Sequence, residues 1–518
     1  MKPTYNLLDQ PFIPVKTVDE ATKAVSIRDA LVNASDYQRV SANLPHANAA
    51  LMRLLLAILH RVFGPADSDA WNDLWLAQCF DPLALDAYFS RVHPRFDLFD
   101  ERRPFYQQRH PQVEEKPAQA LLQAIGGGDT FTLFDHRMDE APFALTPAEA
   151  AVLLITAQSF SLAGLCHPQL KLVYTDAPCS RAVVFMAEGK NLFETLMFNL
   201  VRYNLQEPAP FTWRNQDDPP AWEMDDPFHQ SRTLPDGYLD YLTWQNRMIQ
   251  LIPEEKDGQV LVTRITTAPG LVLNAGVHNP MHHYTKRPDK KKAGEEPVRV
   301  LRFSEGRALW RDSYALLDVN NQAVDVPRAV SWLSELMSEG ILPRRKVQLA
   351  AYGMCTEPGK MKVNFYRSDS LAFDDAILTN ESLIGYLNRA LAHAEDLRRE
   401  LWSILTRLAT LALSPEADDE GHTSLPEAQG LVAHWDGEGL YWDGLETAFY
   451  RFLDRLADDP DGALRDWDLA LRASARAAYD ATVRGLGDTP RALKAAAKTG
   501  GRLGYALNKV LGDLSKEG

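Results

Sequence analysis

Between residues 383 and 413 leucines recur on one helical face, at Leu387, Leu391, Leu397, Leu401, Leu405 and Leu408. A strand cannot bury such a set, because its successive side chains point to opposite faces. Three further stretches, 445–456, 464–483 and 491–514, repeat the periodicity. Four amphipathic helices in succession predict an antiparallel four-helix bundle at the C-terminal end. Before residue 376 the pattern is different, and a chain of 518 residues exceeds the size of one core. The expected class is therefore α+β: a large, irregular mixed domain over 1–375, then a helical bundle over 376–518.

Within the first region the signals are mixed. Residues 5–15 read as a short extended segment that Pro11 and Pro14 confine to a sheet edge or an irregular path. Residues 51–63 carry helical spacing that Gly64-Pro65 ends. Residues 82–117 mix aromatics and prolines without a clear period, and 213–240 read as a long acidic, proline-rich loop. A helix is predicted over 147–165, with Thr146 as N-cap, Pro147 at the first position and Glu149 in the first turn. Strands are expected within 260–277, at 297–303, and at 347–352 and 362–366, the last two joined by the loop 353–361.

Charge is unevenly spread. The net charge of -15 excludes a general nucleic-acid coat, so any polyanion must be met locally or together with partner subunits. Yet Lys286, Arg287, Lys290, Lys291 and Lys292 crowd into seven positions, opposed by Asp289 alone. A second basic group comprises Arg344, Arg345, Lys346, Lys360, Lys362 and Arg367. Cations gathered this way in an acidic protein suit phosphate backbones, where each contact releases a counterion. The plain alternative is a solvated loop. The segment 415–446 holds nine acidic residues and no Lys or Arg, whereas the last predicted helix carries Arg491, Lys494, Lys498, Arg502, Lys509 and Lys516.

Catalytic signatures are missing from the sequence. There is no GxxxxGK[ST] loop and no GxSxG elbow, and Gly126-Gly127-Gly128 lacks dinucleotide-binding spacing. The four cysteines, Cys79, Cys166, Cys179 and Cys355, form no CxxC pair and are too few for a disulfide scaffold, which suits a reducing cytoplasm. The N-terminus lacks a signal-peptide core, and the most apolar run, 51–63, is too short to span a bilayer. His278, His282 and His283 are the nearest approach to a metal cluster, but Pro280 disfavours a shared helical face. The acid pairs Asp217-Asp218 and Asp225-Asp226 could hold a metal for nuclease work, but such pairs in proline-rich loops more often cap helices or face solvent. No catalytic residue, metal or cofactor is expected.

Three features together resemble one family. The opening Asn6-Leu7-Leu8-Asp9-Gln10-Pro11-Phe12-Ile13-Pro14-Val15 is similar to that of the large subunit of type I-E CRISPR Cascade, the CasA family. The turn Tyr352-Gly353-Met354-Cys355-Thr356-Glu357-Pro358-Gly359-Lys360 resembles a turn of the same family. The order of a long irregular domain and a C-terminal bundle is also similar. The resemblance implies a subunit of a crRNA-guided complex with no nuclease activity of its own. Such a subunit contacts the crRNA, reads the protospacer-adjacent motif in double-stranded DNA, helps open the duplex and recruits a helicase-nuclease. Its other partners are the remaining Cascade subunits. Protein then reads a short motif while base pairing reads the rest.

By the same resemblance, Glu357, Pro358 and Gly359 form the DNA wedge, with Thr356 and Lys360 flanking it as further DNA contacts and Pro358 standing where the family usually has Gln. A proline there donates no hydrogen bond but is a rigid apolar wedge. Leu162, Ala163, Gly164 and Leu165 correspond to a minor-groove loop and keep only one of its glycines. Residues 286–292 correspond to a lysine finger. Leu133, Phe134, Asp135 and His136 correspond to the crRNA-handle loop, where Phe134 offers a face for base stacking. Two rival classes remain at this stage: a metal-dependent nuclease built on His278, His282 and acidic partners, and a purely structural interaction protein.

Overall fold

Pro14 lies in the middle strand of a sheet, against expectation. In the computed structural model, which describes residues 3–126, 143–203, 217–229, 232–286, 298–321, 323–343, 345–356, 363–413 and 426–512, the strand Ile13–Thr17 lies between Thr22–Val25 and Tyr37–Val40. Pairing with Tyr37–Val40 begins only at Val15, so the missing N–H of Pro14 removes no ladder bond on that side. Its carbonyl still accepts from the N–H of Ser41 at 2.8 Å.

The chain divides into two compact units. One comprises 1–305, 319–343 and 347–371, and the other 306–318, 344–346 and 372–518. In the first unit the helix Pro45–Phe63 is buried along most of its length and stops at Gly64. A Cβ on Gly64 would lie 2.5 Å from the carbonyl oxygen of His60. Residues 82–117, which show no clear period, contain the helix Pro82–Val92, begun by Asp81 accepting from the N–H of Leu83 at 2.9 Å. The helix from Pro147 starts on the expected capping box of Thr146 and Glu149. It ends at Phe160 rather than 165, because Leu162 onward turns into the antiparallel pair Gly164–His167 and Leu172–Tyr174.

Three further sheets carry the candidate site. Arg247–Lys256 and Gln259–Pro269 form a long antiparallel hairpin with a register shift between Ile252 and Pro253. Val184–Glu188 pairs antiparallel with Lys346–Thr356, and Val363–Asp374 lies on the other side of that strand. Tyr284–Lys286 sits between Val298–Val300, at the expected edge, and Val324–Asp325.

In the second unit the predicted helices are present as Glu381–Leu413, Glu446–Leu456, Pro460–Gly485 and Pro490–Leu511. The stretch expected as an acidic connector also contains two helices, Pro426–Trp435 and Gly437–Asp443. The long first helix packs against both Pro460–Gly485 and Pro490–Leu511. Segment 306–318 joins this unit. Trp310 is buried, stacks on Phe449 at 4.6 Å and meets Trp442 and Trp467 edge-on. Arg307 and Arg311 both bond Glu395, at 3.0 and 2.7 Å, and hold its carboxyl below the ordinary range despite its burial. Among the described residues, no single helix is long and apolar enough to cross a membrane.

Candidate nucleic-acid interface

The loop 162–165 is held from beneath by a buried guanidinium. Arg247, at the start of its strand, donates to the carbonyl of Leu162 at 2.8 Å and to that of Thr175 at 2.9 Å. It lies over the ring of Tyr174 at 4.3 Å. Burial lowers its pKa to about 10. The β pair above it is fixed further by His167 against the carbonyl of Thr267 and by Tyr174 against the Thr267 hydroxyl. Leu165 and its cross-strand partner Val173 are 57% and 56% exposed, so the pair presents an apolar face to solvent.

From this loop a polar chain leads to the base of the predicted wedge. The N–H of Ala163 donates to Asp176 Oδ1 at 2.8 Å. Asp176 accepts from Arg181 Nε at 3.2 Å, and Arg181 Nη1 donates to Thr356 Oγ1 at 3.2 Å. Leu162–Leu165 and Thr356, nearly two hundred positions apart in sequence, are thereby joined through two side chains. Gly353 permits the close packing behind Thr356: a Cβ there would lie 3.1 Å from the Ala182 carbonyl and 3.2 Å from the Phe303 ring. Glu357, Pro358, Gly359 and Lys360 lie outside the described residues.

Lys286 is half-buried, with its Nζ 3.2 Å from Asp325 Oδ1. Arg287, Lys290, Lys291 and Lys292 lie outside the described residues, as do Leu133, Phe134, Asp135 and His136. The strand ending at Lys286 and the Asp176–Arg181 pair border one cleft of about 540 Å³, whose lining includes His278, Tyr284, Arg299 and Arg302. Three sequence-predicted segments therefore share one neighbourhood: the 162–165 loop, the base of the wedge, and the strand leading into the lysine-rich loop. Arg181, Arg299 and Arg302 complete it, and sequence reasoning had not singled them out as site residues. The Arg299 and Arg302 signal was present in the edge strand 297–303, but charged side chains are ordinary on an edge strand, where they discourage pairing with other chains.

Of the second basic group, Arg344, Lys360 and Lys362 lie outside the described residues. Lys346 pairs with Asp454 at 2.5 Å, and Arg367 pairs with Asp369 at 2.8 Å while lying over the ring of Phe303.

His282 is buried and bonded to Asn279 at 2.8 Å, and burial holds its pKa down at about 3. His278 stacks on Tyr284 at 4.5 Å. Among the described residues no three metal-ligating side chains converge. Asp218 caps a helix: it is fully buried and accepts from the N–H groups of Leu239 and Asp240 at 3.0 and 3.1 Å and from Tyr203. Asp225 is exposed and bonded by Arg103. All four cysteines are free thiols.

The combination of a mixed unit with a helical C-terminal unit is that of a known group of proteins. Over 98% of this chain and 100% of the other, the structure is similar to CasA from Thermus thermophilus, with a TM-score of 0.80 and 28% identity. It also resembles a chain of a CRISPR RNA-guided surveillance complex, at a TM-score of 0.75 and 21% identity over 97% of this chain and all of that one. By sequence, the chain is 32% identical to the CRISPR-associated protein CasA/Cse1 of Thermus thermophilus, covering 99% of this chain and 98% of that protein. The family model for CRISPR-associated protein Cse1 matches residues 6–478. The chain belongs to the Cse1 (CasA) family.

Proposed function

We propose that this protein is the non-catalytic large subunit of a type I-E Cascade surveillance complex. In this reading it contacts the crRNA through 133–136 and reads the protospacer-adjacent motif in double-stranded DNA. It opens the duplex beside that motif and recruits the helicase-nuclease. Family membership supports the complex. The observation that carries the DNA reading is the joining of the 162–165 loop to Thr356 through Asp176 and Arg181, beside the arginine-lined cleft. Strand opening requires a loop, a wedge and a source of cations. The loop enters a groove, the wedge separates a base step, and the cations hold the phosphates.

The test is duplex binding by the reconstituted complex across a salt series. Replacing Lys290, Lys291 and Lys292 with Ala is expected to weaken target-duplex binding and to flatten the salt slope by up to about 0.9 per lost phosphate contact. An unchanged slope would remove the loop from the DNA contact.

A further inference from the structure

A second cleft, of about 460 Å³, lies in the same unit as the interface. Segment 105–109 forms its floor by adding to the edge strand Arg247–Lys256. The N–H of Gln108 donates to the Ile249 carbonyl at 2.9 Å, and Gln107 Oε1 accepts from the N–H of Leu251 at 2.7 Å. Tyr106 adopts φ +56° to make this path, a conformation that a bulky residue rarely takes. It stacks on Phe105 at 4.2 Å, and Trp222 completes an aromatic wall.

Gln245 and Gln250 line this cleft, and the buried Oε1 of each has no donor among the described residues. Gln245 is 1% exposed, and its amide is oriented by Nε2 donating to the Thr243 carbonyl at 3.0 Å. A buried acceptor left bare is destabilising, and a ligand that supplies an N–H relieves it. The cleft carries four arginines against three carboxylates. Asp225 is engaged by Arg103 at 2.7 Å, with Arg95 3.6 Å away, and Asp226 caps the N–H of Phe228. The exposed Arg102 forms no ion pair among the described residues.

We propose that this cleft binds a single unpaired nucleotide, with the amine-bearing edge of an adenine, cytosine or guanine base on Gln245 and Gln250 and the phosphate on Arg102. Glutamine carbonyls accept from such amines, and unpaired bases are commonly held against aromatic side chains. Uracil and thymine present no exocyclic amine and would leave one of the two acceptors bare. The proposal rests on the nucleic-acid reading above, but concerns a single strand rather than the motif duplex.

Binding of AMP, CMP and UMP to the full chain tests it, by saturation-transfer NMR and calorimetry, with tetra-arginine peptide as a competing probe. AMP and CMP are expected to bind about tenfold more tightly than UMP. Arg102→Ala should weaken AMP about tenfold without moving Tm, since the side chain is exposed, and Gln250→Met should bring AMP and UMP to equal affinity. Equal binding of AMP and UMP by the unaltered chain, indifference to Arg102→Ala, or capture of tetra-arginine in place of nucleotide would each overturn the assignment. Motif-duplex binding that persists without AMP binding sinks this site alone. AMP binding without duplex binding sinks the functional reading instead.

Discussion

Arg247→Met should loosen the 162–175 segment while leaving the rest of the fold in place. The substitution strips a donor from the carbonyls of Leu162 and Thr175. Each buried carbonyl left bare costs about 1–3 kcal/mol. Loss of the guanidinium over Tyr174 adds about 1 kcal/mol. Against this, the variant no longer buries a charge. The fall of Arg247 from 12.5 to about 10 corresponds to about 3 kcal/mol of relieved cost. The balance is about 2 kcal/mol against the variant, or about 30-fold in a local opening equilibrium. Native-state hydrogen exchange reads this directly, with amides of 163–175 expected to exchange about 30-fold faster. Arg247→Lys should not rescue, because an ammonium lacks the planar fork that reaches both carbonyls. If exchange over 163–175 stays within threefold of the unaltered chain while Tm falls, Arg247 supports the sheet and not the loop, and the reasoning is wrong.

Deleting 357–359 is expected to impair binding of intact motif duplexes far more than of duplexes already melted beside the motif, since opening a base step costs a few kcal/mol. Equal losses on both, by electrophoretic shift, would reduce the tip to a scaffold. Burial pushes Asp240 from 3.8 up to about 7 even though Arg232 is bonded to it. The folded state therefore holds that proton more tightly than the unfolded chain, and this group's contribution to stability falls as pH rises from about 4 to 7. Tm measured across that window should decline less steeply in Asp240→Asn, and parallel profiles would count against it. Arg491, Lys494, Lys498 and Arg502 are exposed on one side of the last helix. Changing all four to Glu should leave Tm within a few degrees and reduce strand opening by the complex, as permanganate footprinting would show; full opening would free that face from any DNA role.

Local signals were legible in the sequence and distant ones were not. Thr146, Pro147 and Glu149 announce a helix start because a capping box is complete within four residues. The leucine stripe of 383–413 is equally self-contained. The helix Pro82–Val92 buries Leu85, Tyr88, Phe89 and Val92, at i, i+3, i+4 and i+7, but the exposed Leu83 and the prolines and aromatics that follow masked that period in the sequence. Pro14 suggested an edge, yet tolerance of a proline depends on where the third strand begins to pair. The Cse1-like opening and turn led to Leu162–Leu165 and Thr356, but not to Asp176, Arg181 or Arg247. Their bonds to the loop and to Thr356 span 13 to 175 residues, and a lone Asp or Arg in a sequence does not reveal its partner.

Trp310 gives the chain an order of assembly. It leaves the ribosome well before Trp442, Phe449 and Trp467, the rings that cover it. At ordinary elongation rates the last of them follows on the order of ten seconds later. Throughout that interval a large indole at the centre of the helical unit has no cover, and the nascent chain offers it to chaperones or to neighbouring chains. A chain that stops at residue 375 keeps this exposure permanently. Failure of such a fragment to accumulate would therefore report on an abandoned tryptophan and on nothing about DNA.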